Sequence, residues 1–350
     1  MAPVKTLQGR AAAALLGLLL LFSACGIVSC DSAKKTAGNG TVVVYVSEDQ
    51  VFSEPILKEF EKATDITVKA VYDTEEAKST GVMNRLIAEK KNPQADVYWA
   101  NEPIRAEVLK QRGISAPYIS KNAEGIPAMF RDPEGYWTGF SARARVLVVN
   151  RQAAKTPRSI LAYADPRWKG KGVIANPLFG TTTTQVAALF TLWGEKRAKA
   201  FMAAMKANGV KLATSNGESA DLVASGEFVF SLVDSDDAVN RIRQGNPVTM
   251  IYPDQGKAGI GCLIVPNAAV LIQGAPHPEP AKRLIDFLLS KETERKLAEA
   301  DCAQIPLHPG VKTPPEVRDI GRIKTMKIDY AKVARKLQEI RSYLKRWAGY

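Results

Sequence analysis

Histidine is scarce in this sequence, and the scarcity narrows the chemistry that the chain can support. Only His277 and His308 occur among 350 residues, and no Cys-x-x-Cys spacing is present. Because zinc sites are built from clustered cysteine and histidine side chains, no site of the zinc type can form. The sequence also lacks the G-x-S-x-G, P-loop and G-x-G-x-x-G motifs. These absences argue against common hydrolases, P-loop nucleotide-binding proteins and dehydrogenases, so we expect a protein that is not an enzyme.

Basic runs interleaved with aromatic residues are absent as well. The formal net charge is +12, but the lysine and arginine residues are scattered along the chain. We therefore expect a solvated basic surface and no nucleic-acid partner. Such a surface suits a protein that lies beside an anionic membrane.

One enzymatic alternative stays open at this stage. A pair of carboxylates such as Glu48 and Asp236 could serve an exported, carboxylate-based hydrolase of the glycosidase type. However, the sequence supplies no aromatic-lined sugar groove beyond scattered tryptophans.

The amino terminus has the pattern of an export signal. Lys5 and Arg10 precede an apolar core, Ala11 to Phe22, which is too short to span a bilayer comfortably. Small residues then precede Cys25 and Cys30, and each of these patterns resembles a bacterial lipobox, in which the cysteine is lipidated. We expect a protein exported to the periplasm or cell surface and anchored to the membrane by lipid.

Cys30 is the favoured lipidation site, because a purely polar segment follows it. This choice gives a signal peptide over residues 1–29 and a flexible tether over residues 30–40. Export to an oxidising compartment also permits a disulfide between Cys262 and Cys302, although two free buried thiols are an equal alternative.

The organising stretch of the mature chain runs from Val42 to Tyr72. Val42 to Val46 is β-branched and aromatic, as in a buried strand, and an amphipathic helix follows from Glu54. Ile66 to Tyr72 then alternates apolar and polar residues, as a second strand does. Strand, helix and strand form one βαβ unit, and similar alternation further along predicts an α/β fold.

Polar residues follow several of the predicted strands. In open α/β sheets, ligands bind beyond the carboxyl ends of the strands, so these residues are the candidate ligand-binding set. The Thr181 to Thr184 run also opens a predicted helix, where we expect a hydroxyl to cap the free amides. The full set is Ser47, Glu48, Asp49, Gln50, Asn101, Glu102, Thr181, Thr182, Thr183, Asp234, Asp236, Asp237 and Asp254.

An ordered series of segments resembles a known family. PILKEFEK, AEKKNPQADVYWANE, WTGFSARARVLVVN, WKGKGVIANP and VPNAAVLIQGAPHPEPAKRLIDFLLS follow the lipobox in order. Together they are similar to the extracellular solute-binding proteins of bacterial ABC importers, in the ferric-iron-binding group. The resemblance implies two lobes with mixed sheets, flanked by helices and joined by a hinge of two or three crossing strands.

The resemblance also implies a role and partners. It implies a monomer that captures a small ligand between its lobes and hands it to a membrane permease and an ATPase. We place lobe 1 at residues 41–139 and 266–350, and lobe 2 at residues 140–265. No cofactor is required, and the transported ligand implied by the family is ferric iron or a related hard cation.

The expected iron ligands are nevertheless missing. Ferric binders of this group present histidine or tyrosine after the first strand and a Tyr-Tyr pair after the strand that matches Phe228 to Val233. This chain has Ser47-Glu48-Asp49-Gln50 and Asp234-Ser235-Asp236-Asp237 at those positions. Carboxylate oxygens do suit hard cations, so Glu48, Asp49 and Asp236 are the candidate metal ligands.

Two other ligand classes remain open. An organic cation, such as a polyamine, an aminophosphonate or a thiamine-like compound, fits the acidic strand ends, and Trp99 could add a cation–π contact if it is not a core residue. An anion could instead be held by Thr181 to Thr184 with Arg143 or Arg145. Those two arginines share one face of a strand, where they could equally pair with acids and hold the hinge.

Overall fold

The computed structural model describes residues 40–73 and 80–350. The predicted signal peptide, all but the last residue of the tether, and both lipidation candidates, Cys25 and Cys30, lie outside these residues. Among the described residues, no helix is long and apolar enough to cross a membrane.

The described part of the chain contains ten strands and ten α-helices, besides short 3₁₀ helices, which confirms the predicted α/β class. The strands are β1 (Thr41–Val46), β2 (Thr67–Tyr72), β3 (Val97–Ala100), β4 (Ser115–Ala116), β5 (Thr138–Asn150), β6 (Gly172–Ala175), β7 (Lys211–Ala213), β8 (Phe230–Asp234), β9 (Val248–Ile251) and β10 (Ile264–Ile272). The helices are α1 (Gln50–Thr64), α2 (Thr80–Ala88), α3 (Pro103–Gln111), α4 (Gly180–Trp193), α5 (Glu195–Ala207), α6 (Asn216–Ala224), α7 (Ser235–Arg243), α8 (Pro278–Leu288), α9 (Lys291–Glu299) and α10 (Tyr330–Ala348).

The predicted helix from Glu54 begins earlier than expected, at Gln50. Pro55 therefore lies inside α1 rather than at its start. The polar stretch after β1 is consequently a very tight connection, and its last residue already belongs to the helix.

The strands form one mixed sheet in the order β2-β1-β3-β10-β5-β8-β6-β7, with β4 beside β10 and β9 beside β5. In its first half, β1 pairs in parallel with β2 and β3. In its second half, β6 pairs in parallel with β7 and β8. Parallel pairing matters here because it brings the carboxyl ends of neighbouring strands to the same edge of each half.

The long strand β5 joins the two halves. Its residues 138–144 pair with β10, whereas residues 145–150 pair with β8 and β9. All thirteen of its residues are buried, as are all nine of β10. Val146 to Val149 are buried on both faces of the sheet, which explains why the end of WTGFSARARVLVVN is almost entirely apolar.

The carboxy-terminal helix α10 packs on both halves. Its apolar stripe buries Val333, Ile340 and Leu344, as its amphipathic sequence predicts. It contacts α3 from the first half and α4 from the second. The Trp347 indole N–H also donates to the carbonyl of Met202 in α5, at 2.8 Å. The helix is therefore a packing element of both halves of the sheet.

The structure does not contain the disulfide between Cys262 and Cys302, because both thiols are free and buried. The Cys262 thiol donates to the carbonyl of Arg145 at 3.0 Å, and the Cys302 thiol donates to the carbonyl of Leu297 at 3.3 Å. Burial raises the pKa of both thiols, which keeps them protonated. Of the two alternatives, a disulfide or two free buried thiols, the structure therefore has the two free thiols.

Asp254 has a structural position in the loop between β9 and β10. Its backbone is left-handed, with φ of 56°, and its carbonyl accepts the Gly261 N–H at 3.2 Å. Its carboxylate accepts the Ile160 N–H at 3.2 Å. A Cβ at Gly259 would lie 2.0 Å from the Asp254 carbonyl oxygen, whereas a Cβ at Gly256 would meet nothing within 4 Å.

We therefore predict opposite outcomes for two alanine substitutions in this loop. Gly259→Ala should lower the free energy of unfolding by about 1–3 kcal/mol, because the new methyl group forces the backbone apart. Gly256→Ala is the matched control and should leave stability unchanged or slightly raised. Urea unfolding of both variants measures the difference, and equal midpoints would contradict the close approach of Gly259 to Asp254.

Candidate functional site

A cavity of about 350 Å³ lies at the carboxyl ends of the parallel strands in both halves of the sheet. The strand ends after β1, β3, β6, β7 and β8 all contribute to it, and β5 crosses beneath it. It is lined by Asp49, Asn101, Glu102, Arg143, Ala175, Asn176, Phe179, Gly180, Thr181, Thr182, Thr214, Ser215, Asn216, Gly217, Asp234, Asp236 and Asp237.

Of the four polar residues after β1, only Asp49 lines the cavity. The Ser47 hydroxyl contacts Asp73 at 3.1 Å and the Tyr98 hydroxyl at 2.9 Å, so it fastens β1 to its neighbours. The Glu48 carboxylate accepts the Gln304 side-chain N–H at 3.0 Å. Gln50 is exposed on α1 and bonds to a glutamate one turn later. Successive side chains of an extended segment point in opposite directions, which is why neighbours in the sequence separate here.

Both residues predicted after β3 line the cavity. The carbonyl of Asn101 accepts a hydrogen bond from the Arg143 guanidinium. Glu102 is buried, forms an ion pair with Arg105 at 2.9 Å, and accepts the Thr184 hydroxyl at 2.5 Å. Because Thr184 belongs to α4, this last bond ties the two halves of the sheet across the cavity.

Arg145 is the centre of a buried polar network behind the cavity wall. Its guanidinium is fully buried and donates to the Asp234 carboxylate at 3.0 Å. It also donates to the hydroxyls of Thr181 and Thr182, at 2.9 and 3.0 Å, and to the Asn216 side chain at 3.1 Å. One arginine on β5 thereby fixes the starts of α4 and α6 and the end of β8.

The same network sets the charge of Asp234. Burial alone would raise the pKa of this carboxyl, but the guanidiniums of Arg145 and Arg143, with the Thr181 hydroxyl at 2.8 Å, hold it below its ordinary value. Asp234 is therefore ionised and its oxygens are engaged by the protein. The expected hydroxyl cap of α4 is absent, because α4 has no side-chain cap bond and these threonines bond to Arg145 and Asp234 instead.

Asp236 and Asp237 occupy the first turn of α7 and face a different environment. Their carboxylate oxygens and one of Asp234 all lie within 4.8 Å of one another. Burial and the charge of Asp234, opposed by Arg143, raise the pKa of Asp236 to about 6. Burial and the charges of Asp236 and Asp234 also raise the pKa of Asp237 well above its usual value. Negative charge at this place is poorly compensated at neutral pH.

The three acids that the structure groups differ from the three that were predicted as metal ligands. Glu48 is turned to Gln304 and does not line the cavity, so the structure does not group Glu48, Asp49 and Asp236. The acidic trio that the described residues bring together is Asp234, Asp236 and Asp237. Three carboxylates at this spacing offer oxygen atoms to one hard cation.

Comparison with known proteins identifies the family and the fold of this chain. The family model described as bacterial extracellular solute-binding protein matches residues 94–332, about two thirds of the chain. The chain belongs to this family of bacterial extracellular solute-binding proteins. Its fold is that of a ferric binding protein from Campylobacter jejuni, with a TM-score of 0.79 and 23% identity over 88% of this chain and 99% of that one.

Two sequence relatives are similar to this solute-binding protein over most of their length. "Iron uptake protein A1" of Synechocystis is 27% identical over 320 residues, which cover 87% of this chain and 86% of that protein. A "putative 2-aminoethylphosphonate-binding periplasmic protein" of Salmonella typhimurium is 30% identical over 243 residues, 69% of each chain. Membership of a solute-binding family confirms the expectation that the protein is not an enzyme.

Three of the residues proposed from the sequence for ligand contact do not line the cavity. Thr183 is buried but does not line the cavity, and Asp254 holds the loop between β9 and β10. Trp99 is fully buried against Phe140 and donates its indole N–H to Asn267, so it is a core residue and does not line this cavity.

Sequence reasoning missed several residues of this solute-binding protein's cavity. Ser215, Asn216 and Gly217 follow β7, and Asn176 and Phe179 follow β6. The signal was the one used elsewhere, a polar strand end, but β7 is only three residues long. Arg143 was predicted either to hold an anion or to pair with acids and hold the hinge. Its guanidinium lies among Glu48, Asp234, Asp236 and Asp49, whose charges raise its pKa against the effect of burial.

We predict that Arg145→Met destabilises the protein by about 3–5 kcal/mol, because it leaves the buried Asp234 carboxylate without its cation. Urea unfolding at pH 7.5 measures the loss. The double variant with Asp234→Asn should recover part of it, since the uncompensated charge is removed. An equal loss in the single and double variants would mean that Arg145 acts through packing and not through its charge.

A second prediction concerns Asp236 in the ligand-free protein. Its raised pKa in the folded state means that ionisation destabilises the fold as pH rises through about 6. Asp236→Asn should therefore raise the free energy of unfolding by about 1–3 kcal/mol at pH 8 and have little effect near pH 4.

The control for this experiment is Asp301→Asn. The Asp301 side chain is 85% exposed, so its replacement should change stability by less than about 0.5 kcal/mol at either pH. Destabilisation by Asp236→Asn at pH 8 would contradict the charge repulsion that we describe.

Proposed function

We propose that this protein is the substrate-binding component of an ABC importer and that its ligand is a small organic solute carrying a positive charge. The solute binds in the cavity at the strand ends and is handed to the permease and ATPase of the importer. The lipid anchor expected from the amino terminus would keep the protein, as a monomer, at the membrane beside that permease. Lobe 1 (residues 41–139 and 266–350) and lobe 2 (residues 140–265) would close on the ligand.

The charge of the cavity is the observation that carries this proposal. Five carboxylates line it, from Asp49, Glu102, Asp234, Asp236 and Asp237, and Arg143 is the guanidinium among the lining residues. Glu102 is paired with Arg105 and Asp234 with Arg145, so the less compensated acids are Asp236 and Asp237. The raised pKa of Asp236 and of Asp237 means that ionising both is unfavourable in the empty cavity. A bound cation relieves that repulsion, and its own binding is strengthened to the same degree.

The size and donor set of the cavity favour an organic cation over a bare metal ion. About 350 Å³ is in the range of small-molecule sites, which begin near 300 Å³. Among the described residues, no tyrosine or histidine lines the cavity, so it offers no phenolate or imidazole for ferric iron. The threonine, serine and asparagine side chains around the acids suit a solute with further polar groups. The Salmonella relative named for an aminophosphonate is in keeping with such a solute.

Ferric iron or another hard cation is the second candidate. The spacing of Asp234, Asp236 and Asp237 within 4.8 Å supports it, because hard cations take oxygen ligands. The Synechocystis relative named for iron uptake supports it as well. However, the Asp234 oxygens already accept bonds from Arg145, Thr181 and Asn216, which leaves mainly Asp236 and Asp237 to hold a metal.

Thermal unfolding with a ligand panel tests these candidates. We expect an amine-bearing solute, such as spermidine, putrescine or 2-aminoethylphosphonate, to raise the melting temperature, whereas 1,4-butanediol, the neutral analogue of putrescine, should not. At a concentration of 100 times its Kd, a ligand adds about 2.7 kcal/mol to the free energy of unfolding. A shift with ferric citrate and with none of the amines would favour the second candidate. No shift with any cation would overturn the proposal.

Two isosteric variants then locate the site. Asp236→Asn should weaken binding of the active solute by at least about tenfold, because a charged hydrogen bond contributes roughly 1.5–3 kcal/mol. Asp254→Asn is the matched control, an acid that the sequence nominated but that lies outside the cavity, and should leave the Kd unchanged. Equal effects of the two variants, measured by calorimetry, would remove Asp236 from the site.

A further inference from the structure

His308 is buried with an acceptor at each of its ring nitrogens. Its Nδ1 lies 2.8 Å from the Glu294 carboxylate, and its Nε2 lies 2.7 Å from the carbonyl oxygen of Asn122. Neither a carboxylate nor a carbonyl can donate a hydrogen, so both ring nitrogens must carry one. With Glu294 ionised, this geometry calls for the imidazolium form of His308.

Glu294 is the partner that makes this charge tolerable. It is fully buried in α9 and accepts the backbone N–H groups of Ser141, Leu307 and His308, at 2.8 to 2.9 Å, besides the histidine ring. Burial alone would lower the pKa of His308, but Glu294 outweighs that effect and raises it, with Lys291 opposing. A carboxylate with three backbone donors and one cation forms a satisfied buried ion pair.

Ser141, which this carboxylate holds, is the strained residue of β5. Its φ of 37° lies in the left-handed region, which is unusual for a residue other than glycine and rarer still within a strand. Its N–H donates to Glu294, and its carbonyl accepts the Asn267 side chain at 2.7 Å. The register between β5 and β10 shifts at Pro266 and Asn267, so the kink and the bulge lie side by side.

We propose that the His308–Glu294 ion pair is a pH-dependent clip that holds the kink at Ser141 in the strand joining the two halves of the sheet. Ser141 is two residues before Arg143, which lines the cavity, and four before Arg145, which orders its wall. Neutralising His308 removes the cation that balances Glu294 and so loosens the kink. The clip acts whatever the ligand of the cavity is.

The direction of the pH effect follows from the raised pKa of His308 in the folded state. Stabilisation by the clip is complete below the ordinary histidine value of about 6.5 and is lost as pH rises through the higher folded-state value. Asp236 also destabilises the fold as it ionises near pH 6, so the test compares variants at each pH and not one protein across pH.

Histidine NMR on the wild-type protein tests the charge state directly. The chain has only two histidines, and His277→Gln assigns both sets of signals. With ¹⁵N-labelled histidine, we expect both ring nitrogens of His308 to be protonated at pH 6.5 and its titration midpoint to lie above 6.5. An unprotonated ring nitrogen on His308 at pH 6.5 would overturn the proposal, and this readout needs no variant of His308 to fold.

Unfolding midpoints in urea at pH 6 and pH 9 test the coupling to the kink. His308→Gln should lower the midpoint at pH 6 but change it much less at pH 9. Ser141→Gly keeps the backbone donor and relieves the strain. The double variant Ser141→Gly with His308→Gln should therefore lose less at pH 6 than His308→Gln loses from wild type. Equal losses in the two backgrounds, or a loss from His308→Gln that is the same at both pH values, would refute the clip.

Discussion

The buried ion pair between Arg145 and Asp234 is the interaction on which the cavity depends. It joins β5 to the end of β8, and the other donors of the same guanidinium hold the starts of α4 and α6. A buried charge is costly unless it is paired and hydrogen-bonded, and here the Asp234 oxygens and the two terminal nitrogens of Arg145 all have hydrogen-bond partners. Because Arg145 is in the strand that joins the two halves of the sheet, the network aligns the cavity wall with the hinge.

Because Asp234 is held in its ionised form, its negative charge repels Asp236 and Asp237. The first turn of α7 places them beside a carboxylate that is already ionised, and their pKa values rise as a result. Under the function proposed above, a cavity that is electrostatically unfavourable when empty and relieved by a bound cation gives up some stability for affinity. The same electrostatic argument distinguishes Asp234 from Asp236 and Asp237 at the end of β8. Asp234 maintains the architecture, whereas Asp236 and Asp237 remain available to a ligand.

The position of the cavity could be predicted from the sequence, because polar residues after parallel strands meet at one edge of the sheet. Asp49, Asn101, Glu102, Thr181 and Asp236 were nominated on that ground and do line it. Ser47, Glu48 and Gln50 were nominated with Asp49, but they are directed to Tyr98, Gln304 and Glu54. Direction at the end of a strand depends on where the next helix begins, and α1 begins at Gln50, earlier than its amphipathic pattern indicated.

The sequence by itself determined the α/β class, most element bounds and the family, since these follow from local periodicity and from an ordered series of motifs. Val42 to Val46 and the run from Val146 to Val149 could hardly be anything but buried strands. Only the tertiary structure decided which charges pair. Arg145 meets Asp234, His308 meets Glu294, and Cys262 does not meet Cys302, because each partner arrives from a distant segment. The distance between two residues along the sequence does not tell whether they make contact. The order of the strands in the sheet, and β5 joining its two halves, determine which residues do.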